Sequence, residues 1–124
     1  MAPTTQQKEL LPMKVFRAIR QPDGIGKLYT LTDAGMTEID LDRSLRIEDI
    51  SPTGFEWGYG GSGPSQTALA ILLEATDDEE LSLDLYNQFK RDVIAHAPYR
   101  GWKIPIEAID GWIANQDTQL LTIE

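Results

Sequence analysis

Fourteen residues near the middle of the chain, Ser51 to Pro64 (S-P-T-G-F-E-W-G-Y-G-G-S-G-P), hold five of its ten glycines beside Phe55, Trp57 and Tyr59. Alternating aromatic and glycine residues give a backbone that turns sharply and exposes its N–H groups while the rings anchor it. A loop of this kind running into a helix N-terminus aims free donors at one point, the geometry that holds anions. On that chemistry Gly60, Gly61, Ser62 and Gly63 form a binding concavity for an anionic or nucleotide-like molecule. Ser62 then supplies a hydroxyl donor, and Trp57 or Tyr59 supplies a stacking surface. The same residues also have a purely structural reading: Phe55, Trp57 and Tyr59 pack on a sheet, and the glycines let a helix pass close to it. Glu56 opposes a highly charged phosphate unless Arg17, Arg20 or Lys27 folds over the loop. No Gly-Lys-Ser/Thr follows, and no parallel βαβ unit surrounds the glycines, so this is neither a nucleotide P-loop nor a dinucleotide fingerprint.

Other residues that could do chemistry have plainer uses. His96 falls where a helix is expected to end, a place that favours a cation, and general acid-base work would need Asp92 as its partner and a nucleophile nearby. Ser62 is no nucleophile elbow, because Gly60-Gly61-Ser62-Gly63-Pro64 puts proline where that motif requires glycine. The run Asp77-Asp78-Glu79-Glu80 lacks the spacing of a calcium loop and suits the start of a helix. With no cysteine and one histidine, thiol nucleophiles, thiolate metal sites and disulfides are excluded. No catalytic residue, metal or cofactor is expected.

These residues must be positioned by a small set of elements. Met13 to Arg20 and Lys27 to Thr32 read as strands, joined through Gln21-Pro22-Asp23-Gly24-Ile25-Gly26 as a β-hairpin. Beyond Asp33-Ala34-Gly35, the odd positions Ile39, Leu41, Leu45 and Ile47 predict one or two short, bent strand pieces, with Arg43 interrupting their face. Pro64 opens a helix capped by Gly63, and Ala68 to Leu73 is apolar all round, as in a helix buried by neighbours. A second helix opens with Asp77 and Glu80 in capping-box spacing, carries Leu81, Leu85, Phe89 and Val93 every four residues, and stops at Pro98. Trp102-Lys103-Ile104 suits a short strand or a packed connector. Pro105 starts a third helix through about Asn115, with Ile106, Ile109, Trp112 and Ile113 inward. Residues 1–12 and 116–124 read as tails around a single domain, 13–115.

The 124 residues fit one domain, and 41% hydrophobic content suits a globular chain. Ala68 to Leu73 is far short of a membrane span, which takes about 20 residues. The N-terminal stretch, with Lys8 beside Glu9, is no signal peptide, so the expected location is the cytoplasm. A net charge of -9 argues against adhesion to nucleic acid or anionic lipid through a general basic field. The charge is uneven. Residues 1–32 carry five cations against two acids, whereas residues 33–84 carry 13 acids against Arg43 and Arg46.

The stretch G-F-E-W-G-Y-G-G-S-G-P-S-Q-T-A-L-A-I-L-L, Gly54 to Leu73, resembles the signature of a family of small proteins of phages, plasmids, bacteria and archaea, known only as a domain of unknown function. The similarity extends through Leu85-Tyr86-Asn87-Gln88-Phe89-Lys90 and Gly101-Trp102. It implies no reaction, but it implies a mobile-element setting, in which small acidic proteins block larger host machines. The expectation is therefore an α+β fold, a small antiparallel sheet from the N-terminal half packed on about three helices. Its expected function is that of a non-enzymatic acidic module that binds a basic protein partner through Glu74, Asp77, Asp78, Glu79, Glu80 and Asp84, as an inhibitor of host defence. The alternative is a small-ligand binder at the glycine-aromatic loop.

Overall fold

A computed structural model describes the backbone of residues 14–123 and the side chains of residues 14–116. The tail proposed for residues 1–12 lies outside the described residues. Strands β1 (Val15–Arg20) and β2 (Gly26–Thr32) form the hairpin, β3 is Gly35–Glu38, and β4 is Gly101–Pro105. They make one antiparallel sheet in the order β3-β2-β1-β4. The fourth strand comes from the C-terminal half and pairs with β1, which therefore lies inside the sheet. Among the described residues four helices complete the α+β fold: α1 (Leu41–Ile47), α2 (Ser62–Thr76), α3 (Glu79–Asp92) and α4 (Ile106–Ile123), with a 3-10 turn at Ile94–His96. Among the described residues no helix is long and apolar enough to cross a membrane.

Alternation divides the sheet into two unlike faces. Phe16, Ala18 and Leu28 point inward and are buried with Ile39, Phe55, Trp57, the apolar residues of α2, Phe89, Ile94 and Ile109. Helix α2 is buried from Gly63 to Leu73, as an all-round apolar stretch requires. The other face stays open. Its residues line up across β3, β2, β1 and β4 as Met36, Leu31, Val15 and Pro105, then Glu38, Tyr29, Arg17 and Lys103, then Lys27, Ile19 and Gly101 on the last three strands. Every one of these is half-buried or exposed.

Several local expectations are corrected. Leu41–Ile47 is a helix, not a strand: Asp40 Oδ1 accepts from the Asp42 amide as an N-cap, and Leu41, Ser44 and Leu45 sit at helical spacing. Odd-numbered Leu41 and Leu45 satisfy a four-residue repeat as well as a two-residue one, so alternation could not separate the cases. Helix α2 begins at Ser62 behind Gly61, not at Pro64 behind Gly63. The cap of α3 is Asp78, whose Oδ1 accepts from the Leu81 amide, because Asp77 is spent ending α2 in a left-handed conformation at φ 54°. Helix α3 closes at Asp92, ahead of Pro98, and α4 continues past Asn115.

Candidate functional site

The glycine-aromatic loop divides into an inner and an outer half. Phe55 and Trp57 belong to the core, Trp57 being 1% exposed. Their rings reach it because Phe55 makes a single bridge to Gly26 on β2. A Cβ on Gly26 would lie 2.7 Å from the Trp57 ring, so only glycine lets that indole press against the strand. Trp57 also meets Trp102 of β4 edge-on at 5.8 Å, fixing the loop to both strands that flank β1. Tyr59, which the structural reading packs on the sheet with Phe55 and Trp57, is instead 50% exposed. Its ring lies over Gly61, outside the core.

Arg20, at the end of β1, ties this arrangement together. Its side chain is 6% exposed and its guanidinium is sandwiched by two rings, 4.3 Å from the centre of Trp57 and 4.1 Å from that of Tyr99. Nη1 donates to Glu56 Oε1 at 2.8 Å and to the Gly24 carbonyl at 3.2 Å, and Nε donates to the Tyr99 carbonyl at 3.2 Å. The same carbonyl accepts from Trp57 Nε1 at 3.0 Å. Of the three hairpin cations considered from sequence, Arg20 is the one that reaches the loop. It neutralises Glu56, so its charge is already committed.

Behind the loop, α2 presents two polar side chains to backbone groups that have left regular structure. Gln66 Oε1 accepts from the amides of Ile50 and Ser51, both at 2.8 Å, while its Nε2 donates to Ser44 Oγ and the Glu48 carbonyl. Fully buried, Gln66 thereby fastens the end of α1 and the entry of the loop to α2. Thr67 Oγ1 accepts from the Glu56 amide at 3.0 Å and donates to the Glu56 carbonyl at 2.7 Å. Nothing in the sequence pattern singles out either residue: both precede the apolar run Ala68 to Leu73 in the first turns of the expected helix, where polar residues are ordinary.

At the anion position, the start of α2 has no side-chain cap. A Cβ on Gly63 would come 2.7 Å from the Glu56 Cβ, so the stem of Glu56 lies against the first turn while its carboxylate is held by Arg20, which leaves a carboxylate close to any anion bound there. Of the proposed ligand set, Trp57 and Gly63 are buried, Gly61 is half-buried, and Tyr59, Gly60 and Ser62 are exposed.

The proposed partner-binding acids gather on one flank. Asp77, Asp78, Glu79, Glu80 and Asp84 are exposed around the α2–α3 turn, and Glu74 is half-buried beside them. Arg43 of α1 donates to Glu74 Oε2 at 3.2 Å and to Asp77 Oδ1. Burial works against the charge on Arg43, but hydrogen bonds to Asp77 and Glu74 outweigh it and hold the guanidinium above its ordinary value. Asp42, Glu48 and Asp49, all exposed, extend the flank along α1. Glu48 reaches α3 electrostatically: the Tyr86 phenol is raised by burial and then by the Glu48 charge.

His96 ends the 3-10 turn and is exposed. Asp92 is not held for it, because Asp92 Oδ1 accepts from Gln88 Nε2 and Oδ2 from Trp112 Nε1. Among the described residues no cluster of three or more histidine, aspartate or glutamate side chains is placed to hold a metal.

Compared with known sequences, residues 19–115 match the model of a family described as "Family of unknown function (DUF6166)". That span takes in both the loop and the acidic flank, and the chain belongs to this family. No curated protein and no solved structure matches it.

Proposed function

We propose that this member of the family is a non-enzymatic interaction module whose acidic flank binds a protein partner with a basic surface. The observation that supports it is the segregation of charge. Glu79, Glu80 and Asp84 are exposed on consecutive turns of α3 and take part in no salt bridge among the described residues, while the nearby Arg43 is folded onto Glu74 and Asp77. Uncompensated acids on one rigid helix raise the rate of encounter with a basic surface and fix its orientation. The narrower reading, in which a phage or other mobile element supplies this protein to block host defence in the cytoplasm, is carried by the motif resemblance alone.

The test is a pull-down from the native host at low and moderate salt, with the parent chain and with a Glu79→Gln, Glu80→Gln, Asp84→Asn variant. Asp78 is left intact because it caps α3. A partner captured at low salt, weakened by added salt and lost with the variant is the expected result. Recovery of no partner at either salt, or undiminished capture by the variant, sinks the reading.

A second reading, an anion held at the loop, rests on the uncapped start of α2, where Gly60 and Ser62 are exposed. Glu56 limits it to weak binding, no tighter than roughly millimolar for bare phosphate. Phosphate-induced amide shifts at Gly60 to Ser65 would support it, and their absence would leave the loop a structural joint.

A further inference from the structure

The open face of the sheet carries the opposite charge. Over the paired strands β1 and β4 lies an open depression of about 330 Å³ whose lining includes Arg17, Ile19, Arg100 and Lys103 and no acidic residue. Arg17 and Lys103 are direct neighbours across the two strands, on the side away from the core. Arg100, Arg17 and Lys103 are exposed, and among the described residues none of the three forms a salt bridge. Among the described residues of the four strands the one acid on this face, Glu38, lies two strands from β1 and pairs with Lys27 at 3.6 Å. Tyr29 adjoins Arg17 on the other side, in the same row.

Arg17 and Lys103, side by side in register and exposed, repel one another weakly in water, and an anion shared with Arg100 would turn that repulsion into attraction. Two guanidiniums and an ammonium match a tetrahedral, multiply charged oxyanion: arginine grips two oxygens at once and lysine acts as a point charge. The net charge of -9 does not oppose a small anion here, because exposed charges are screened over about 8 Å at physiological salt. It does oppose a long polyanion, which would extend beyond the depression.

We propose that this depression over β1 and β4 is a binding site for the phosphate group of a small ligand, with Arg17, Arg100 and Lys103 as its contacts. Free phosphate and a nucleotide are the two sources of that chemistry, and Tyr29 is the ring on which the base of a nucleotide would lie. This inference uses none of the acidic residues and stands apart from the acidic-flank reading and from the loop.

The experiment is an amide NMR titration of the full chain with inorganic phosphate and, separately, with AMP, repeated on an Arg17→Gln, Lys103→Gln variant. Both side chains are exposed, so the variant should retain the parent's unfolding temperature, and a Lys27→Gln control should bind as the parent does. Expected are shifts at Arg17, Ile19 and residues 100–103, with affinity reduced about tenfold in the variant. AMP binding tighter than phosphate, with movement of the Tyr29 ring signals, identifies a nucleotide as the source; equal affinities identify phosphate itself. Shifts confined to Gly60–Ser65, affinity unchanged in the variant, or no response up to about 10 mM of either ligand overturns the proposal.

Discussion

The acidic flank and the open sheet face are built from the same 124 residues, yet they reach their charge in different ways. The flank is contiguous in sequence: Asp77 to Glu80 stand in a row because a helix start accepts acids, and the turn exposes them together. The sheet face is assembled from a distance, with Arg17 on one strand and Lys103 on another, brought side by side by antiparallel pairing. Net charge averages over this division, so a chain that is acidic overall still presents a face on which cations dominate.

The comparison breaks most severely at the joint between the layers. Trp57→Ala removes the ring that touches β2, β4 and Arg20, and a loss of about 3 to 5 kcal/mol is expected from chemical denaturation, the usual range for a deleted core aromatic. Tyr59→Ala, on the outer half of the same loop, should cost about 1 kcal/mol or less as a half-exposed ring. Similar losses at the two positions would mean that the division of the loop is wrong.

Gln66→Leu comes next. It keeps much of the volume but leaves the amides of Ile50 and Ser51 without their acceptor, which should cost about 2 to 4 kcal/mol in urea unfolding. Because Gln66 fastens α1 to α2, faster hydrogen exchange at α1 should accompany that loss, while β1 and β4 stay protected. A neutral substitution would show that water serves those amides equally well.

How far the sequence reached can be judged from these same residues. The hairpin, the buried helix at Ala68 to Leu73 and the acidic start of α3 were legible because each has its own period or turn chemistry. Leu41–Ile47 reads as strand by alternation because Leu41 and Leu45 fit both periods, and the signal that decides for a helix is the Asp40 cap. Trp57 and Tyr59 look alike in sequence, two residues apart among glycines, and only the tertiary contacts of Trp57 with Gly26 and Trp102 separate them. The clamp of Arg20 on Glu56 was anticipated only as one of three choices. The cationic depression was not legible, because Arg17 and Lys103 are joined by strand pairing that no local pattern announces.

Smaller effects sharpen the picture of the flank. Arg43→Gln removes the cation lying on Glu74 and Asp77; since this pair network is partly exposed, about 0.5 to 1 kcal/mol of stability is expected to go, less at high salt. No salt dependence in that difference would mean that the side chain acts by packing alone.

The faintest predicted effect reads the field directly. Tyr86, raised by burial and by Glu48, stays neutral in the fold at pH values where an unfolded tyrosine ionises. Its contribution to stability is present below the unfolded value of about 10 and is lost as pH rises through the folded one. Ultraviolet titration should therefore show the Tyr86 phenol ionising above an ordinary tyrosine, and Glu48→Gln should bring it part of the way down. An unmoved titration in the variant would remove Glu48 from the account.

The central claim is that the fold sorts charge onto opposite faces. It is tested most directly by measuring amide proton relaxation with two paramagnetic co-solutes of the same shape, one cationic and one anionic. The account predicts that the cationic probe relaxes Glu79 to Asp84 more strongly and that the anionic probe relaxes Arg17, Ile19 and Lys103 more strongly. A ratio of the two effects that is the same at both sets of amides would contradict it.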